Sequence, residues 1–411
     1  MWFDHCQARL RALDTQSLTR RLRVADSGTA PRQRWRDGGG ARELLMFCSN
    51  DYLGLAAHPA LTAALAEGAM RWGAGSGASP LVSGHTAAHA AVSAWLADRF
   101  EAHIPQARAL GFCTGYMANL GVLTALGDAD AELFCDDLNH ASLIDGARLA
   151  RATVVRYPHG DAVALADRLA RSQAPRKLIA TDSVFSMDGD IAPLRALLAL
   201  AEAHDALLLV DDVHGFGVLG HDGLGALQHA GLRSERLVLV GTLGKAAGVA
   251  GAFVVAHATI AEFLLQTARN YIFSTAAPPA VEHAVLAALR LIVSDEGAAR
   301  RQALGERVVQ WRAGAQALID RHPRTGWRLL PSATAVQALV VGDNATAMAV
   351  SAALEAQGLR VPGIRPPTVP PGTARLRITF CASHTEDDVQ RLLDALEPIA
   401  ARSRRAVETL L

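Results

Sequence analysis

No excess of either charge marks this sequence of 411 residues, in which forty basic and forty acidic side chains cancel. Without a net field there is no general pull toward nucleic acid or an anionic membrane surface, and a small neutral or anionic metabolite is the partner to expect. Cysteine is scarce too. The five cysteines (Cys6, Cys48, Cys113, Cys135 and Cys381) are odd in number, widely spaced and free of any C-x-x-C pair. That pattern argues against a disulfide framework and against a zinc site, so a metal-free protein of a reducing compartment is expected. Long apolar runs are also missing. The opening "MWFDHCQARLRALDTQ" carries Asp4, Arg9 and Arg11 where a signal peptide needs an unbroken apolar stretch, and no later segment is apolar for the length of a bilayer. The expectation is a soluble, cytoplasmic protein. Internal repeats and low-complexity tracts are absent, apart from a general richness in alanine.

What is present is apolar residues in quantity, half of the total, enough to bury one large core or two. Between about residues 105 and 255, short β-rich runs ("ELFC", "TVVRY", "KLIATD", "ALLLVDD", "RLVLVGT", "GAFVV") alternate with amphipathic stretches such as "PLRALLALAEAHD". This alternation predicts an α/β fold, a mainly parallel sheet with helices on both faces. Beyond "FSTAAPPA" the pattern changes: one long helical stretch from Val281 to about Ile319 leads into "AVQALVV" and "ARLRITF". The expected organisation is an N-terminal helical and extended segment (1–50), a large α/β domain (51–285) and a smaller α+β C-terminal domain (286–411).

In open parallel sheets ligands collect beyond the carboxyl ends of the strands, and the unusual polar residues fall there. "ALLLV" runs into Asp211, Asp212 and His214; "RLVLV" into Thr242 and Lys245; "KLIAT" into Asp182 and then Ser186; "ELFC" into Asp136, Asp137 and His140. "GFCTGYMANLGV" has glycines leading into a helix, whose first backbone amides and positive dipole end suit a phosphate. Singly, each has an ordinary structural reading. A lysine at a strand end can snorkel to water, Asp211 can cap a helix, a histidine can sit satisfied in a core, Ser186 and Thr242 can be turn residues, and the arginines of "TRRLR" can form a solvated helix face. Their convergence from four strand ends on one crevice is what favours chemistry. A nucleotide-binding P-loop is excluded for "GTLGK", because Leu239 and Ala246 stand where a glycine and a serine or threonine are required. "GFGVLG" does not join a strand directly to a helix, so a dinucleotide fingerprint is not supported either.

The order Asp211, His214, Lys245 resembles the pyridoxal-phosphate enzymes of the aspartate aminotransferase fold, and specifically the α-oxoamine synthase family. The resemblance covers nearly the whole chain through ordered blocks: "CSNDYLGLA", "GSGASPLVSG", "DDLNHASLIDG", "TDSVFSMDGD", "DDVHGFGVLG", "GTLGKAAGVAGAF" and "FSTAAPP". It implies pyridoxal 5'-phosphate as cofactor, with Lys245 as the amine that holds its aldehyde, Asp211 at the pyridine nitrogen, His214 and Ser186 near the phenolic oxygen, and His140 stacked on the ring. It assigns the phosphate to Gly115, Tyr116 and Thr242, with Ser274 and Thr275 reaching the cofactor of a neighbouring subunit, hence a homodimer with shared active sites. Arg377, assisted by Asn50, resembles the grip on the amino-acid carboxylate, and Arg20 (or its neighbour Arg21) and Thr368 resemble substrate-touching positions. An amine that must react unprotonated explains why Lys245 stands alone in an apolar, glycine-rich run.

The block "RPPTVPPGTARLRITF" is most similar to the branch of the family that joins L-alanine to a pimeloyl thioester in biotin synthesis. The family core also serves glycine C-acetyltransferase, 5-aminolevulinate synthase and serine palmitoyltransferase, a non-catalytic relative would share the same motifs, and the acyl carrier stays open between coenzyme A and acyl carrier protein. Two residues depart from the family pattern. Ala78 stands where glycine is common and Pro80 where glycine or a larger polar residue is, which bears on the thioester loop rather than on the cofactor residues; Val213 for alanine is a conservative change.

Overall fold

A computed structural model describes residues 1–15, 18–20, 22–37 and 40–402. Strands β1 (Arg32–Asp37) and β2 (Gly40–Met46) pair antiparallel near the start of the chain. Seven strands then build the central sheet: β3 (Ala107–Phe112), β4 (Ala131–Asp136), β5 (Thr153–Tyr157), β6 (Arg176–Asp182), β7 (Ala206–Asp211), β8 (Leu237–Thr242) and β9 (Ala252–His257). Their order is β3-β9-β8-β7-β6-β4-β5, and β9 alone runs against its neighbours. The mainly parallel α/β architecture expected from the alternation of runs is therefore present.

Both faces of this sheet are covered, which is why its central strands are continuous apolar runs rather than alternating ones. Along β7, Leu208 and Val210 join one buried cluster while Leu209 joins the other; along β8, Leu237 and Leu239 face the first and Val238 and Val240 the second. Successive side chains of a strand point to opposite faces, so one run feeds two cores. The helix Gly115–Leu126 covers one face with Ala118, Val122 and Leu123, and the helix Ala87–Phe100 covers the other with Val92, Leu96 and Phe100.

The C-terminal part contributes β10 (Arg328–Leu329), β11 (Val336–Gly342), β12 (Leu359–Arg360), β13 (Gly363–Ile364) and β14 (Ala374–Thr379). Four of them form an antiparallel sheet in the order β10-β11-β14-β13, while β12 pairs parallel with β2 and so ties the beginning of the chain to its end.

Two local readings are corrected and one strand is added. The helical stretch from Val281 to Ile319 is two helices, Pro279–Ile292 and Asp295–Arg321. Ser294 starts the second by accepting the amide of Gly297, and Asp295 and Glu296 in its first turn favour the positive end of the helix dipole. Strand β3, "ARALGF", was not anticipated, because it has no β-branched residue and carries a glycine. Arg20 and Arg23 of "TRRLR" do not lie on a helix, since the first helix, Trp2–Thr15, ends before them; Arg21 lies outside the described residues.

Helix Pro59–Trp72 packs on Pro279–Ile292 at a glycine. A Cβ on Gly68 would stand 2.9 Å from both the Cα and the carbonyl oxygen of Ala280, backbone atoms that cannot swing away. Gly68→Val is therefore expected to destabilise the fold by about 1–3 kcal/mol, the usual cost of overpacking, read as a lower midpoint in urea unfolding.

Candidate active site

Parallel strands β4, β6, β7 and β8 all end at one edge of the sheet, so their terminal residues meet there. Lys245, three residues past β8, places its Nζ 2.8 Å from His214 Nε2. On the far side of that ring, His214 Nδ1 lies 2.6 Å from the hydroxyl of Tyr52, which is fully buried and also approaches Asn50 Oδ1 at 3.2 Å. Asp211, the last residue of β7, accepts from Asn119 Nδ2 at 2.6 Å and from the amide of Val213 at 3.1 Å. Asn119 also donates to Ser142 Oγ, 2.7 Å from His140 Nδ1, so one network runs from the strand aspartate to the histidine. His140 combines two roles, since its ring accepts the amide of Ser142 and caps the helix Ala141–Leu149, while its backbone amide donates to Asp182 at 2.7 Å.

The doublet Asp211–Asp212 divides its work by strand alternation. Asp212 is fully buried, accepts from Ser183 Oγ and the amide of Ala226, and is pushed up to about 7 by burial. It closes the turn after β7, leaving Asp211 to the crevice.

At the N-terminus of helix Gly115–Leu126, Thr114 accepts the amide of Met117, while the amides of Gly115 and Tyr116 precede any intrahelical acceptor. A Cβ built on Gly115 would have Val213 Cγ1 at 3.5 Å and Thr242 Cβ at 3.9 Å as its nearest atoms, which brings this helix start against the ends of β7 and β8. Thr242 Oγ1 donates to Gly251 O and accepts from the amide of Gly244. Tyr116 turns its side chain away to Asp145, so only its backbone faces the cradle.

Arg377, buried on β14, donates through Nε to the carbonyl of Ser186 and approaches Asn50 Oδ1 through Nη2 at 3.4 Å. Three expected residues thus meet in one place. Arg20 and Thr368 share a separate open cleft with Arg360 and Arg365. Pro362 on its wall accepts the backbone amide of Arg377, so the cleft adjoins the strand that carries the arginine. Ser274 and Thr275 line a different cavity, beside Cys113 and Glu282, with Cys113 Sγ 3.4 Å from the carbonyl of Thr275. Within a single chain these two are not brought to Lys245. The segment that carries Ala78 and Pro80 runs into a short π-helix, Pro80–Gly84, in which Pro80 takes a first-turn position where a missing N–H costs little.

Sequence reasoning overlooked Tyr52, Asn119 and Ser142. Nothing in their spacing marks them, as their partners are 162, 92 and 23 residues away. It also left one signal unused: Lys177 and Lys245 are the only two lysines among forty cationic residues.

Electrostatics select the form of the amine. Burial drives Lys245 down to about 8 and the charge of Arg377 pushes the same way, against the carboxylates of Asp211 and Asp182. His214 is held well below the ordinary histidine value by burial and then by Lys245, Arg377 and His140, so its imidazole is neutral. His140 is lowered by burial and by Lys245, with Asp211 opposing. Asp182 is raised well above the usual carboxylate range by burial and by Asp211.

A nucleophilic amine, a neutral imidazole, a strand-end carboxylate and a helix N-terminus suit a carbonyl compound carrying a phosphate and a basic ring nitrogen. Two buried acceptors beside the carboxylate, Asn119 Oδ1 and Asp182 Oδ1, have no partner among the described residues, and Asp211 retains lone pairs for a donor. The residues present fit such a group. Because an amine reacts only when unprotonated, modification of Lys245 by a small amine reagent is expected to rise with pH and level off above about 8. Asp211→Asn removes the charge that opposes the shift, so it moves the plateau to lower pH; peptide mass spectrometry of the Lys245 peptide measures both.

Residues 42–396 match the family model described as aminotransferase class I and II. An "8-amino-7-oxononanoate synthase 2" of Polaromonas sp. (strain JS666) is 61% identical over 398 residues, 96% of this chain and 98% of that one. The 8-amino-7-oxononanoate synthase of Cupriavidus metallidurans is 62% identical over 400 residues, 96% and 97% of the two chains. Among solved structures, a serine palmitoyltransferase from S. paucimobilis with bound PLP superposes at a TM-score of 0.86 with 30% identity, covering 99% of this chain and 98% of that one. The 8-amino-7-oxononanoate synthase of Francisella tularensis superposes at 0.74 with 28% identity, covering 89% and 99%. On identity and coverage alike, the chain belongs to the class I and II aminotransferase family and, within it, to the 8-amino-7-oxononanoate synthases.

Proposed function

We propose that the chain is a pyridoxal 5'-phosphate-dependent acyltransferase of biotin biosynthesis, which condenses L-alanine with a pimeloyl thioester to give 8-amino-7-oxononanoate, CO2 and free thiol. The observation that carries the reading is the buried amine of Lys245, set 2.8 Å from a neutral His214 and within the field of Asp211, in a chain about 60% identical to synthases of that name.

When bound, the cofactor supplies a sink for the electron pair left on the substrate Cα as its bonds to hydrogen and carboxylate break. Lys245 binds the cofactor and, once freed, moves the Cα proton through Nζ, a task suited to a base that never leaves the site. Asp211, backed by Asn119, holds a proton at the ring nitrogen. His214 and Ser186 orient the phenolic oxygen. His140, pinned edge-on by Ser142, offers its face to the ring. Gly115 and Tyr116 bind the phosphate through backbone amides, with Thr242 beside them. Arg377 binds the carboxylate of L-alanine with a planar fork of donors, steadied by Asn50. Arg20 and Thr368 bind the acyl substrate in the cleft next to β14.

The working unit is a homodimer in which Ser274 and Thr275 serve the partner's cofactor. Apolar Phe273 and Val82, 70% and 80% exposed near that segment, support a covered face. No described helix is long and apolar enough to cross a membrane, and the site of action is the cytoplasm. The acyl carrier is coenzyme A or an acyl carrier protein.

One product assay tests the reading: L-alanine, glycine and L-serine against short, medium and long acyl thioesters, following thiol release. Activity is expected with L-alanine and the pimeloyl thioester, and borohydride should trap the cofactor on Lys245. Turnover chiefly with glycine and acetyl-CoA would overturn it. Arg377→Ala is expected to raise the KM for L-alanine roughly 10- to 150-fold, equivalent to losing a charged hydrogen bond of about 1.5–3 kcal/mol. Initial rates against alanine concentration measure that change.

A further inference from the structure

Tyr52 belongs to none of the roles above, yet its hydroxyl makes the shortest contact to His214, 2.6 Å from Nδ1, with no exposure to water. A hydroxyl has one proton to give. Two acceptors are in reach, His214 Nδ1 at 2.6 Å and Asn50 Oδ1 at 3.2 Å. The positive charge of Arg377 also bears on this hydroxyl. The contact to His214 is the shorter of the two, and Asn50 Oδ1 already has Arg377 Nη2 as a donor.

We infer that Tyr52 is a positioning residue for the reaction: its hydroxyl donates to His214 Nδ1 and thereby fixes the imidazole's single proton on Nε2, facing the centre of the site. His214 then presents an N–H rather than a lone pair at the point where Lys245 Nζ stands. A neutral amine can accept that N–H, whereas an ammonium cannot, so the tautomer works in the same direction as burial. The contacts run from Arg377 through Asn50 Oδ1 to Tyr52, His214 and the reacting centre, and they connect the group proposed to hold the amino-acid carboxylate with the group proposed to move its proton. A carboxylate or backbone carbonyl in place of the tyrosine would demand the opposite tautomer. The inference rests on the proposed function only for what the N–H faces during turnover; the tautomer itself depends on this chain alone.

The test uses the full chain labelled with [15N]histidine and loaded with pyridoxal phosphate. Nitrogen NMR, with the His214 signals assigned by their loss in His214→Asn, is expected to show Nε2 protonated and Nδ1 bare. Tyr52→Phe should lose this preference. In the chain before loading, the pH midpoint for cofactor uptake should rise in Tyr52→Phe by roughly one unit, the effect of a hydrogen bond to a charged or titrating group. Asp211, Asp182, Arg377 and His140, the other groups whose charge reaches this cluster, remain in place in that variant. A proton on Nδ1 in the loaded parent chain overturns the inference without any variant, and so does a Tyr52→Phe chain with an unmoved midpoint. Failure of the product assay would sink the proposed function and leave the nitrogen spectrum as it is.

Discussion

The site depends on keeping one amine out of water. Lys245 is driven toward its neutral form by burial, and the short loop after β8 lets it reach the crevice without an acidic partner in hydrogen-bond contact. Its nearest neighbour is an imidazole that is itself neutral for the same reason. The carboxylates of Asp211 and Asp182 oppose the shift and bound it near 8, so the amine is neither permanently charged nor a weak base. An amine with the two roles proposed for Lys245, carbonyl nucleophile and base for a carbon acid, works best with a value close to the operating pH.

The strand-end residues around the amine follow from the direction of the strands. Four parallel strands end on one edge, and each passes its chain into the crevice as it leaves the sheet. Their interior residues alternate between two cores, so the sheet is locked on both faces and its end is a rigid platform. The antiparallel C-terminal sheet adds Arg377 from outside this platform, and the loop carrying Ser186 meets it through a backbone carbonyl. The two sheets therefore meet at the site through the arginine, which touches Asn50 and Ser186 and whose charge acts on Tyr52 and Lys245.

Much of this was legible in one dimension. Continuous apolar runs of β length separated by amphipathic stretches identify a covered parallel sheet, and polar residues placed just after those runs identify its working edge. Strand β3 escaped because "ARALGF" has no β-branched residue, and the break at Ser294 was passed over although serine followed by two acids marks a helix start. Tyr52 and Asn119 were invisible for a different cause. Each acts on a partner many residues away, and neither residue type is unusual enough to mark itself.

The sequence by itself determined the fold class and the strand-end residues Asp211, His214 and Lys245, the last as the one charged side chain of an apolar run, because hydrophobic period and residue type are local properties of the chain. Only the tertiary structure decided which of two adjacent aspartates faces the crevice, which tyrosine stands behind the histidine, and how far burial moves the lysine. Those depend on distances between segments far apart in the chain and on how much water they exclude, and neither is written in any one stretch of it.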